Sequence, residues 1–157
     1  MRLSSPVVQQ GSEIPAHYTS DGENISPELS WQDVPDKTQS FVLIVHDPDA
    51  PRPGGFTHWV LYNIPATTSR IRENIPQDEQ IAGMGLQGKN DSGKIGYIGP
   101  APPSGTHRYF FRLFAIDTML DLVPGATHKE ISAAIKGHIL AQSELMGTYE
   151  KKSERAA

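Results

Sequence analysis

The chain has 157 residues, 37% hydrophobic and 20% charged, enough to bury the core of one ordinary domain and unlike a disordered segment. Its 14 Lys and Arg against 18 Asp and Glu give a net charge of -4, which argues against a nucleic-acid partner held by a basic face. The absence of cysteine excludes disulfides and thiol chemistry. Residues 1–10 show no basic start followed by an apolar stretch, and no apolar run approaches the roughly 20 residues of a membrane span; a soluble cytoplasmic protein without a transmembrane segment is expected.

Thirteen prolines and fourteen glycines, most of them before Ala126, punctuate short apolar runs and predict short strands joined by ordered loops. In chain order, residues 3–8 and 28–31 are weak strand candidates. Residues 41–46 (FVLIVH) form a continuous β-branched and aromatic run, read as a strand buried on both faces and stopped by the prolines of DPDAP at 47–51. Residues 57–63 (THWVLYN) form a second strand, whose alternation sets His58, Val60 and Tyr62 on one face and Trp59 and Leu61 on the other. Residues 80–85 are another weak strand, followed by a long Gly/Pro/Asn-rich loop to Gly105, a length often associated with function. Residues 107–116 (HRYFFRLFAI) form a third strong strand, with His107, Tyr109, Phe111 and Leu113 on one face. Thr127 and Glu130 make a capping box for a helix along which Ile131, Ile135 and Ile139 recur, with Leu145 alongside and Gly147 as its stop. The expected architecture is mostly antiparallel β, a sandwich with a C-terminal α-helix packed on one sheet: a single domain over 1–150, then a charged, frayed tail at 151–157.

Polar clusters sit at the ends of the apolar runs: NISP at 24–27, DPDAP, His58-Trp59, and YIGPAPPSGTHRY at 97–109. Each has an ordinary structural explanation, since Asp-Pro pairs form turns, a lone histidine is commonly structural, and Pro102-Pro103 stiffens a loop. Their order together, NISP, Trp31, DPDAP, HWV and GPAPPSGTHRYFF, resembles the phosphatidylethanolamine-binding protein family, which includes Raf kinase inhibitor proteins and plant flowering regulators. The resemblance runs from about Leu3 through Tyr149, and GTHRYFF and LMGTYEK are most similar to the bacterial and archaeal branch. It implies a β-sandwich with a short helical C-terminus and a ligand pocket lined by Asp47, supported by Asp49, and containing His58. Gly99, Pro102 and Pro103 would form a rim, His107 and Tyr109 a wall, and Ser26 and Pro27 another rim position. Pro100-Ala101 and a shorter C-terminal segment distinguish the chain from mammalian members.

These residue types suit a small phosphate: imidazoles and a phenol donate to its oxygens, and loop N–H groups near Gly99 could form a nest. An ionised Asp47 would repel such a ligand by roughly 4 kcal/mol at 4 Å and an effective dielectric of 20, so its expected task is to orient a histidine. The function implied is a binding protein for a phosphate head group of the phosphoethanolamine kind, regulating a kinase or protease, with no cofactor and no catalysis; a homodimer is compatible with the sequence. A hydrolase built on the His/Asp pocket lacks a G-x-S-x-G elbow, and a metal site from Asp47, Asp49, His58 and His107 lacks a helical ligand signature.

Overall fold

The computed structural model describes residues 1–152. They form β1 (Arg2–Ser4), β2 (Leu29–Gln32), β3 (Ser40–Asp47), β4 (Phe56–Pro65), β5 (Arg70–Ile71), β6 (Gln80–Ile81), β7 (Gly85–Gln87), β8 (Thr106–Ile116), α1 (His128–Ile135) and β9 (Ile139–Glu150). The strands make two antiparallel sheets, a small one ordered β1-β2-β5 and a large one ordered β6-β7-β4-β3-β8-β9.

Side-chain alternation divides the large sheet between two cores. Phe41, Leu43, Val45, Trp59, Leu61, Phe111 and Leu113 pack toward Leu3, Leu29, Trp31 and Ile71 of the small sheet. Val42, Ile44, Val60, Tyr62, Phe114 and Ile116 pack instead with Ile131 and Ile135 of α1. Strand β3 is thus sandwiched on both faces, as its unbroken apolar run predicts.

The capping box is present: Thr127 accepts the Glu130 N–H, while the Glu130 carboxylate accepts the Thr127 N–H. The helix nevertheless ends at Ile135, with Gly137 at a φ of 85°, and does not continue to Gly147 as expected. Residues 139–150 form instead the longest strand, paired along β8 from Ile139↔Ile116 to Glu150↔Thr106. The four-residue spacing of isoleucines is also a multiple of two, so Ile139 fitted the helical stripe while beginning a strand. In that strand Leu145, Gly147 and Tyr149 alternate inward. Gly147 is a close-approach glycine rather than a helix stop: a Cβ there would lie 2.6 Å from Ile14 Cγ1. Residues 80–87 form a small β6–β7 hairpin, so the long loop starts after Gln87. Of the tail, Lys152 donates its backbone N–H to Asp21 Oδ2 at 3.2 Å and its ammonium pairs with Glu13, and the rest of that expectation, 153–157, lies outside the described residues.

Candidate functional site

Strand β3 ends where its antiparallel neighbour β8 begins, which brings Asp47 and His107 to one face of the large sheet. Asp47 Oδ2 accepts from His107 Nδ1 at 2.6 Å, and Oδ1 accepts the Asp49 N–H at 2.7 Å. Asp47 is therefore both the turn former and the orienter of a histidine. Because a carboxylate only accepts, the His107 proton sits on Nδ1, and Nε2 has no partner among the described residues.

His58 joins them through an irregularity that alternation does not foresee. The β3–β4 register runs from Val45↔Trp59 to His46↔Thr57, leaving His58 as an extra residue in a β-bulge. The expected placement with Val60 and Tyr62 is thereby reversed: the His58 ring lies 5.2 Å edge-on from Tyr109 and 4.8 Å from Phe56. Its Nδ1 donates to the Ile98 carbonyl at 2.7 Å, which leaves Nε2 without a partner among the described residues. Burial pushes the imidazole pKa down, against the smaller opposing pull of the Ile98 carbonyl and the Asp47 charge, so His58 is neutral near pH 7. The Tyr109 hydroxyl is also buried and has no hydrogen-bond partner among the described residues. Burial, then the Asp47 charge, raises its pKa beyond the ordinary phenol range and keeps it a neutral donor.

Asp47, His58, His107 and Tyr109 line a cavity of about 210 Å³, whose remaining wall is mainly apolar and includes Phe56, Ile98, Pro102 and Pro103. Gly99 lines it because nothing larger fits: a Cβ would lie 2.4 Å from Asn24 Oδ1 and 2.5 Å from the Tyr18 carbonyl oxygen. The Gly99 N–H donates to Asn24 Oδ1 at 2.8 Å and the Ile98 N–H to the His58 carbonyl at 3.0 Å. Both are spent within the protein, so the nest expected there is not free.

The other expected residues stand further back. Asp49 turns away from the cavity and grips Arg108 with both carboxylate oxygens at 2.9 Å, which holds its pKa down at about 2 and ties β8 to the turn after β3. Ser26 Oγ accepts the Ile75 N–H at 2.9 Å, and neither it nor Pro27 lines the cavity. Within NISP it is Asn24, in the left-handed region at φ 61°, that reaches the rim. Arg52 was not foreseen; among the described residues it is the only Lys or Arg of the lining, and its guanidinium lies 5.4 Å over the Phe56 ring. No group of three or more metal-ligating side chains occurs among the described residues.

A family model described as phosphatidylethanolamine-binding protein matches residues 4–150. The chain belongs to that family. A Methanothermobacter thermautotrophicus protein named only as a UPF0098 protein is 48% identical over 151 residues, spanning 96% of this chain and 99% of the relative. An Aquifex aeolicus protein of the same designation is 47% identical over 96% of this chain and 89% of its own. Among solved structures, a Chlamydia trachomatis phosphatidylethanolamine-binding protein homologue superposes with a TM-score of 0.85 at 40% identity, covering 96% of this chain and 97% of that one. E. coli YbcL, described as a member of the mammalian family, gives 0.86 at 30% identity over 96% and 98%. The two-sheet antiparallel sandwich is therefore this family's fold, carried on a bacterial or archaeal type of chain. No helix among the described residues is long and apolar enough to cross a membrane.

Proposed function

We propose that the chain is a non-catalytic binding protein whose pocket takes a phosphate group carried on a small substituent, of the phosphoethanolamine kind. The observation that carries this is the set of three leftover polar atoms, His58 Nε2, His107 Nε2 and the Tyr109 hydroxyl, on residues lining one small and otherwise largely apolar cavity. Unpartnered polar groups in a buried site are costly unless a ligand completes them. Arg52 adds a lasting positive charge, and Asp47 holds the His107 ring in place from behind.

Against turnover stands the lining itself, which among the described residues contains no Ser, Thr or Cys, while both oxygens of the one carboxylate found there are engaged by His107 and the Asp49 N–H. Occupancy of such a pocket can be transmitted through the 97–109 rim to a protein partner. Regulation of a kinase or protease is the role that the family resemblance suggests. The test is calorimetric titration with O-phosphoethanolamine of wild type, His58→Gln and His107→Gln. Saturable binding weakened by both substitutions, without release of inorganic phosphate, supports the proposal; no binding, or steady phosphate release, overturns it.

A further inference from the structure

Loop 48–55 has a second hollow on its other side. It opens toward α1, has a volume of about 540 Å³, and is lined by His46, Thr57, His128, Lys129 and Asp91, with Arg52 bordering both this hollow and the first pocket. Beneath it runs a hydrogen-bonded chain on which the site above makes no demand. His46 Nε2 lies 2.8 Å from the Gly54 carbonyl oxygen, His46 Nδ1 lies 2.9 Å from Thr57 Oγ1, and Thr57 Oγ1 lies 2.7 Å from His128 Nδ1.

Donor and acceptor rules fix the proton positions in this chain. A carbonyl only accepts, so neutral His46 carries its proton on Nε2, and its Nδ1 must accept from the Thr57 hydroxyl. That hydroxyl has one proton, so it accepts in turn from His128 Nδ1–H. His128 Nε2 is left as a bare lone pair with no partner among the described residues. Every donor in the series points away from His128. A proton added at His128 Nε2 therefore requires no bond to reverse, whereas a proton added at His46 Nδ1 would force the Thr57 hydroxyl proton to turn away from His46. The chain is arranged to carry positive charge at His128, on the side of the hollow.

The charged surroundings select the ligand. From the loop comes Arg52 and from α1 Lys129, both cationic; burial first, then His46 and more weakly Arg112 of β8, disfavour a charged His128 in the empty state, against the opposing pull of Asp91. Arg112 is itself paired with Glu144 at 2.8 Å. Among the described residues the one opposing carboxylate lining the hollow is Asp91, whose Oδ2 already accepts the Thr57 N–H at 2.7 Å. Two lasting cations plus an imidazole able to gain a proton suit an oxyanion and disfavour a cation.

We propose that this hollow is a second oxyanion site, in which Arg52, Lys129 and a protonated His128 hold a phosphate or sulfate group. The proposal does not rest on the function assigned to the first pocket.

Histidine side-chain NMR on the intact protein tests it, with sulfate, inorganic phosphate and glycerol phosphate as separate probes. The expected result is that His46 keeps its Nε2–H tautomer while sulfate raises the His128 pKa. The same response is expected in His107→Gln, and Lys129→Gln weakens it by about tenfold, the loss of one charge-assisted contact. Equal responses to inorganic phosphate and glycerol phosphate mean that the oxyanion alone is recognised; a stronger response to the ester means that its organic part is held as well. A His128 ring unmoved by all three probes overturns the proposal, as does a response that disappears in His107→Gln. If His58 and His107 stay silent while His128 responds, the first pocket's assignment fails and this one stands.

Discussion

Replacing Tyr109 by Phe separates stability from binding. The phenol is buried at 1% exposure and its hydroxyl has no partner among the described residues, so the folded protein bears the cost of removing that group from water. An unsatisfied buried hydroxyl costs about 1–3 kcal/mol, so Tyr109→Phe should stabilise the ligand-free protein by at least about 1 kcal/mol, the lower end of that range. For a domain of this size that is a rise in Tm of about 2–4 °C. The ring remains to pack against His58, whose centroid is 5.2 Å away, so the pocket keeps its shape. Binding loses one donor to an anionic oxygen, and O-phosphoethanolamine affinity should fall about tenfold. Scanning calorimetry without ligand and titration calorimetry with it measure the two effects on one preparation. A variant less stable than wild type would show that the hydroxyl has a structural partner, and unchanged affinity would show that it does not face the ligand; either result refutes the reasoning.

Binding of sulfate to the pocket, measured in a His128→Gln background to silence the second hollow, should take up a proton at His58. Burial holds the free His58 pKa below its ordinary value and the anion raises it, so affinity is greatest below the free pKa and falls as pH rises toward the pKa of the complex, by at most about tenfold per unit. Titrations in buffers of different ionisation heat count that proton, and a count of zero would contradict the mechanism. Without ligand the same depressed pKa makes the unfolded state bind more protons, so urea stability should decline as pH falls through about 6.5, and His58→Gln should flatten that decline. Asp47→Asn should cost about 1.5–3 kcal/mol in urea unfolding and weaken O-phosphoethanolamine, because an amide oxygen is a weaker acceptor than a carboxylate for the His107 Nδ1–H across the 2.6 Å contact. Gly99→Ala should lose about 1–3 kcal/mol and most ligand affinity, since its Cβ would meet Asn24 Oδ1 and the Tyr18–Thr19 backbone; wild-type values for both would mean that the rim is freely adjustable.

Much of this architecture was legible in the sequence because strong local signals agreed with the tertiary structure. The unbroken run of β3, the alternation of β8 and the capping box at Thr127 each foretold an element and the face it buries. Misplacements came where two periodicities coincide or where alternation is broken. Isoleucines four apart serve a helix and a strand equally, so β9 was hidden behind α1. A single extra residue at His58 reverses its face, and no local composition marks that bulge. The motif residues of the site were visible, but their tasks depend on distant contacts: Asp49 serves Arg108, and Asn24 rather than Ser26 supports Gly99. The Thr57 chain joins residues from β3, β4 and the start of α1, a juxtaposition that appears only once the sheet is folded.

The central claim is that the His58, His107 and Tyr109 group receives a phosphate. A crystal structure of the protein with O-phosphoethanolamine tests it most directly. The account predicts phosphate oxygens within about 3 Å of His58 Nε2, His107 Nε2 and the Tyr109 hydroxyl, with Asp47 still holding His107 from behind. Density showing the amine end against the two imidazoles, or a ligand outside the cavity with these three atoms untouched, would contradict it.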